Sequence, residues 1–484
     1  MKFKHLISIS VLASSLFLGA CVETQLAEGG IGGTGISVGP ITGFGSIIQN
    51  GVRYNVSQAR FMRDGVNVPD QSQYRVGEIV KIQGTINADG VTGKASQVDY
   101  GSLLQGQITA LGADGKSLYV LNQLVRTDSL TVLHEVKLFS DLAVGNIVQI
   151  SGARDAQAII RANSLTLQQD SFIPGNSLQL IEGRITQVDV RTQTFIVNGL
   201  RIDYSRVVRG TLPAINQYVR VTSKESLQNS LLIASDYRLA QEFVEFTVGE
   251  EAELEGLVTA FISSNRFAIN GQLVVTTSAT KFENSTAADI KLNAVVEAEG
   301  QINNQGELVA EEISVRQASS GQTRELEGKV MSIDASTQTL TLLGNTLLVD
   351  ASTIILQKAN DQETSIRFTA LHVNDHLEIK ARQLTDGRLL ALRIERDLED
   401  LSSPDIEVKG LATAINQSQG SLEILGLTVM SDASTEFKFN SDTVSQAAFF
   451  ARLVEGQSVV KAEGTQLTNQ VLKADSLELE TEDD

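Results

Sequence analysis

Over most of its length the chain places apolar residues at every second position, in short runs broken by Gly, Asn, Asp and Ser. EIVKIQG from Glu78, NIVQISG from Asn146, AVVEAEG from Ala294, QSVVKAEG from Gln457, AEEISV from Ala310 and ADSLEL from Ala474 all follow this rule. A period of two predicts strands with one buried and one wet face. Helical spacing is scarce. Its best instance is Ser445 to Val454, where Ala447, Ala448, Phe449 and Leu453 give helical spacing.

One phrase opens each stretch of strands: GPITGF from Gly39, GQITAL from Gly106, GRITQV from Gly183, GLVTAF from Gly256, GKVMSI from Gly328 and GLATAI from Gly410. The glycines lie 67 to 82 residues apart. That spacing is too long for solenoid units and suits very small domains in tandem. A hairpin follows at Asn50-Gly51, Asn198-Gly199 and Asn270-Gly271, pairs that tolerate positive φ. The other copies are read as turning at Asn122-Gln123, Gly344-Asn345 and Gly426.

Each copy offers about five strands, which fits an antiparallel barrel closing on itself and hiding its edges. The predicted class is all-β: six small OB-like five-stranded barrels, with any helix between the third and fourth strands. An irregular small barrel or a split β-sandwich stays open, because periodicity does not give strand order. The predicted repeats span residues 39–104, 105–170, 180–242, 253–317, 325–396 and 406–480. Residues 243–252, 318–324 and 397–405 lack a clear period and read as linkers. Barrels this small would gain stability by packing on one another end to end, as a rod or as looser beads.

Residues 1–20 form a secretory signal: Lys2, Lys4 and His5, an apolar run from Leu6 to Leu18, then Gly19-Ala20. Leu18-Gly19-Ala20-Cys21 resembles the bacterial lipobox, in which Cys21 is acylated and becomes the first residue. It is the chain's one Cys. Val22 follows where inner-membrane retention calls for Asp, so the resemblance implies an outer-membrane anchor, on either its periplasmic or its surface side. Residues 21–38 carry Gly29, Gly30, Gly32, Gly33 and Gly35 and read as a flexible lipidated tether.

Charge narrows the partners. The net charge of -19 becomes -21 once Lys2 and Lys4 leave with the signal. Such a chain repels phosphate backbones, so nucleic acid is not an expected partner. With 4 His and 1 Cys, thiolate metal clusters have no raw material, and a chain with no Trp and 7 Tyr is not expected to build the sugar platforms of a glycoside hydrolase.

Several motifs fail on context. Gly30-Ile31-Gly32-Gly33-Thr34-Gly35 matches a dinucleotide fingerprint but has no strand before it. Gly112 to Ser117 (GADGKS) has two residues between its glycines where a phosphate loop needs four, and reads as a hairpin turn. His372 and His376 flank a turn before a strand, which would not converge them on a metal. The acidic runs Glu250-Glu251-Glu253-Glu255, Asp397-Glu399-Asp400 and Glu480-Glu482-Asp483-Asp484 lack calcium-loop order and read as solvated linkers. No catalytic, metal or cofactor residue is assigned, and an enzyme is not expected.

ITGFGSIIQNGVRYNV from Ile41, the Gly-rich segment before it and the phrase from Gly77 to Gly84 resemble a repeated, uncharacterised domain family of bacterial envelope lipoproteins. The resemblance implies small β-barrel repeats and carries over no catalytic residues. The third copy departs, with Asn216 and Ser223 where others have Gly. The expected function is non-enzymatic: a multivalent binding or scaffold protein facing an envelope protein or polysaccharide, or alternatively a spacer or assembly factor. Replacing Cys21 by Ser should abolish acylation. The acylated N-terminal peptide should vanish from the mass spectrum and the protein should leave the detergent phase on Triton X-114 partition.

Overall fold

The computed structural model describes residues 33–480, except 45, 129, 137, 209–211, 242–243, 284, 318–322, 351–352, 360–361, 385–386, 399–404 and 440–441. The predicted signal peptide, Cys21 and parts of the linkers at 318–324 and 397–405 lie outside the described residues. Within them the chain is all-β, folded into small barrel-like sheets.

In the first unit Gly33–Gly43 pairs with Ile47–Gln49, which pairs with Val52–Asn55. Val52–Asn55 runs parallel to Thr92–Tyr100, which returns antiparallel to Ile79–Ile86, and that strand closes on Gly33–Gly43. The ring order is therefore first, second, third, fifth, fourth, with the third and fifth strands parallel. The same ring recurs from Leu104 to Gln169, from Gln179 to Leu239 with a broken last strand, and from Glu251 to Gln317. It recurs twice more, from Arg324 to Asp397 and from Asp405 to Glu480.

The recurring residues are the parts that close these rings. Two residues past each phrase glycine, the first strand exchanges backbone bonds with the turn before the fourth strand. Gly77, Gly145, Asn216, Asn293, Asn374 and Gly456 donate to Ile41, Ile108, Ile185, Val258, Val330 and Ala412 at 2.8–2.9 Å. All six donors have positive φ, so Asn216 does in the third unit what Gly does elsewhere. The first strand then slips register in a bulge, and the phrase Thr bonds the carbonyl across it, as Thr109 does to Tyr119 at 3.1 Å.

The phrase glycine clears room for the next turn. A Cβ on Gly39 would lie 2.2 Å from Asn50 Oδ1, and one on Gly106 would lie 2.6 Å from Leu121 Cγ. In two units the hairpin sits one residue earlier than the sequence suggests, at Leu121-Asn122 and Leu343-Gly344, and in the last it is Leu425-Gly426, so that Leu121, Leu343 and Leu425 all have positive φ. Leucine tolerates that conformation here because its side chain covers the bare glycine. The helix between the third and fourth strands is a single turn, Gln446–Phe450, capped by Ser445, whose Oγ accepts from Ala448 N at 3.3 Å. Phe449 and Phe450 from it meet Phe437 and plug the last barrel. In the first, second and fifth units a 3-10 turn stands at that place.

Neighbours in space are not always neighbours in sequence. The first strands of units two and three pair at Leu104 and Gln105 with Ile181 and Leu180, and those of units five and six at Glu325–Glu327 with Glu407–Lys409. Each of these pairs shares one continuous apolar core. Unit one instead pairs with unit four, Gly35–Val38 running parallel to Glu251–Leu254, and the two keep separate cores. Gly33–Val38, assigned above to the tether, therefore belong to a strand flanked on both sides. Gly35 allows the approach, since its Cβ would lie 2.3 Å from the Glu251 carbonyl oxygen.

Polar groups lock the units further. Arg220 of unit three bonds Asp64 of unit one at 2.7 Å and is paired with Glu182 of its own unit. Arg393 of unit five donates to the Thr131 carbonyl of unit two at 3.2 Å, and His134 Nε2 meets the Val76 carbonyl at 2.8 Å. Burial holds His134 down to about 4, so it stays neutral there. Val76, Val132 and Leu356 form a small apolar cluster where units one, two and five meet. Arg220→Ala strands two carboxylates and should cost about 3–5 kcal/mol, read as a clear fall in the calorimetric unfolding temperature.

Candidate functional site

The alternation Glu251-Ala252-Glu253-Leu254-Glu255 puts Ala252 and Leu254 into the fourth barrel and the glutamates outside it. On a lone barrel that outer face would be wet. Here the first unit covers it, and Glu253 is only 3% exposed. The run read as a solvated linker is thus a strand at a seam. The alternation with Ala252 and Leu254 was the signal that its acidic composition concealed.

Glu253 has a short chain of donors. Asn50 Nδ2 donates to Ser37 Oγ at 3.2 Å, and Ser37 Oγ donates to Glu253 Oε2 at 2.8 Å. Glu253 Oε1 is buried without a partner. Around it is a small recess lined by Gly35, Ser37, Tyr54, Glu251, Glu253 and Glu299, among others.

Register sets like charges side by side. Glu253 lies opposite Glu299, Glu299 opposite Glu312, and Glu312 opposite Lys281. Glu255 lies opposite Glu297 in the next row. Directly opposed like charges on adjacent strands destabilise a sheet. Arg316 answers part of this charge, paired with Glu297 and bonded to Asp350 of unit five at 3.5 Å.

These surroundings raise the affinity of the carboxyls for protons. Burial pushes Glu253 up to about 8, against the lowering effect of Ser37 and Arg316. Burial and the neighbouring Glu253 and Glu312 push Glu299 up to about 9. Glu283, under burial and facing Glu312, rises to about 7. Burial also raises Glu255. The other two seams are balanced: Lys409 reaches Glu325 at 3.6 Å and Glu480 at 2.6 Å, Lys461 reaches Glu407 at 2.9 Å, and Gln105 and Gln149 line the seam of units two and three beside Arg220.

The other motifs do not converge. Gly112 to Ser117 is a hairpin turn in which Asp114 Oδ1 accepts from Lys116 N and Ser117 N. His376 is buried with Nδ1 3.8 Å from Glu327 Oε1, while His372 is exposed. Among the described residues no group of three or more His, Cys, Asp or Glu is placed to hold a metal ion. No described helix is long and apolar enough to cross a membrane.

A family model described as "Domain of unknown function (DUF5666)" matches residues 105–165, 255–314, 327–395 and 409–478, within units two, four, five and six. No curated protein matches the chain. Ser37→Ala should remove the donor of Glu253 and destabilise the protein by about 1–3 kcal/mol, measured by thermal unfolding at pH 6.

Proposed function

The chain belongs to this family of domains of unknown function, and from that premise we propose that it is a non-enzymatic scaffold of the bacterial envelope. In this reading it is held by acylated Cys21 to the outer membrane and built of six OB-like barrels gathered into one body. The ring order of first, second, third, fifth and fourth strand, with third and fifth parallel, supports the OB-like assignment in all six units. Sequence supports the anchor through the lipobox-like Leu18 to Cys21.

One observation carries the scaffold reading over an array of identical sites. What repeats between copies serves the fold: the phrase glycine, the positive-φ turn residue and, in every unit but the fifth, the bulge Thr. The exposed turns between first and second strands differ among units two, three, four and six, while unit five repeats the Asp-x-x-Thr-Gln-Thr turn of unit three, Asp334 to Thr339 matching Asp189 to Thr194. They read Asp114-Gly115-Lys116 in unit two, Arg191-Thr192 in unit three, Ser264-Asn265 in unit four and Gln417-Ser418-Gln419 in unit six. Chemistry this varied supports different contacts for different units, to an envelope protein or polysaccharide. The pairing of unit one with unit four folds the chain back on itself, which weighs against a spacer whose length grows with each barrel.

Photo-crosslinking residues placed at Lys116, Arg191, Asn265 and Ser418, one at a time in intact cells, test this reading. A scaffold gives adducts that differ between units. The same adduct from every unit would restore the multivalent array, and no adduct from any of them would favour the spacer.

A further inference from the structure

The seam of units one and four differs from the other two in three ways. It is parallel, where the others are antiparallel, and parallel pairing is the slightly weaker kind. Its two cores do not merge; Val38 alone among the paired residues of unit one packs on the core of unit four. Its carboxyls also face Arg316, whose charge is shared with Glu297 and with Asp350 of unit five.

The charged groups facing Glu253 come from every side. Glu251 and Glu255 flank it on its own strand, Glu297 and Glu299 stand on the fourth strand, and Glu311, Glu312 and Arg316 on the fifth. Lys281 and Glu283 stand on the third strand beyond. From unit one come the uncharged Ser37, Asn50 and Tyr54, with Lys81 on the next strand turned to Asp99 at 3.9 Å. Unit five adds Asp350, bonded to Arg316. Glu253 is thus sealed among acids, with one oxygen bonded to Ser37 and the other bonded to nothing.

We propose that this seam is a proton-operated latch: protons on Glu253 and Glu299 hold Gly35–Val38 against the fourth barrel, and their loss lets the two units part. Each opening sends a proton from a carboxyl to water and exposes the resulting carboxylate, which water then solvates. Burying it instead would place charge beside Glu299 and Glu312, with the Arg316 charge already shared by Glu297 and Asp350. The sign follows from the raised affinity for protons in the closed state. The closed seam is fully favoured below the ordinary glutamate range, and that advantage drains away as pH rises toward about 8 and 9. Outside the seam, unit four is held by Asn293 to Gln157 of unit two at 3.0 Å and by Arg316 to Asp350, contacts that do not need Glu253. The latch therefore loosens one joint of the body without unfolding a barrel.

Hydrogen exchange on the full-length protein, with rates divided by the intrinsic chemical rate at each pH, reads the joint directly. Between about pH 5 and 8, opening of peptides covering 33–43 and 251–257 should rise about tenfold per pH unit for each proton released. Peptides at the two balanced seams, 104–107 with 179–182 and 325–327 with 407–409, should change far less. Glu253→Gln and Glu299→Gln should each lower the slope; the second, at a half-buried position, covers the case in which the first does not fold. Equal opening at every pH in the parent protein would overturn the latch, as would an unchanged slope in both variants. A pH response that disappears in chelator and returns with calcium would also overturn it, in favour of a divalent-cation site.

Discussion

A five-stranded ring of this kind leaves one edge open. The first strand turns its later half to the second strand and its earlier half to the fourth, so the other side of that earlier half has no partner within its own unit. Backbone groups left unpaired there would be costly if buried and would invite other chains if exposed. The described protein satisfies them by laying first strand on first strand, one with four, two with three, five with six. Those three joints set the barrels in pairs, and the contacts of Arg220, Arg393 and His134 then hold pair against pair.

The joints also decide where polar chemistry becomes unusual. An alternating strand puts its charged residues on the outside, and a first strand that must accept a neighbour carries that outer face into the interior. At two joints lysine, arginine or glutamine meets the acids, and burial is tolerated. At the third, Ser37 is the group that meets Glu253. A serine can donate one hydrogen bond but cannot neutralise a carboxylate, so burial there raises the affinity of Glu253 for a proton.

The strands, the tandem repetition and the small helix near Phe449 were legible because they depend on spacing along the chain. The third unit was legible in its strands, and its Asn216 departure proved equivalent once its φ was known. The turn at Leu121 was misplaced by one residue because leucine rarely adopts positive φ, and its partner glycine, Gly106, is distant in sequence. Gly33–Val38 looked like tether for a related reason. Glycine signals freedom in sequence, whereas Gly35 is needed for the close pass of the Glu251 carbonyl, 216 residues on from it. Contacts of that separation leave no period to read, so the pairing of units and the burial of Glu253 stayed hidden. Cys21 and its lipid rest on sequence alone.

Edges that are removed two at a time impose parity. Six units close into three pairs, whereas five or seven would leave one first strand with its backbone bare on one side. Gain or loss of a single barrel by recombination between copies would thus create a surface ready to join a second molecule, edge to edge. Arrays of this construction should lengthen or shorten by even steps, and an odd-numbered array should be found as a dimer.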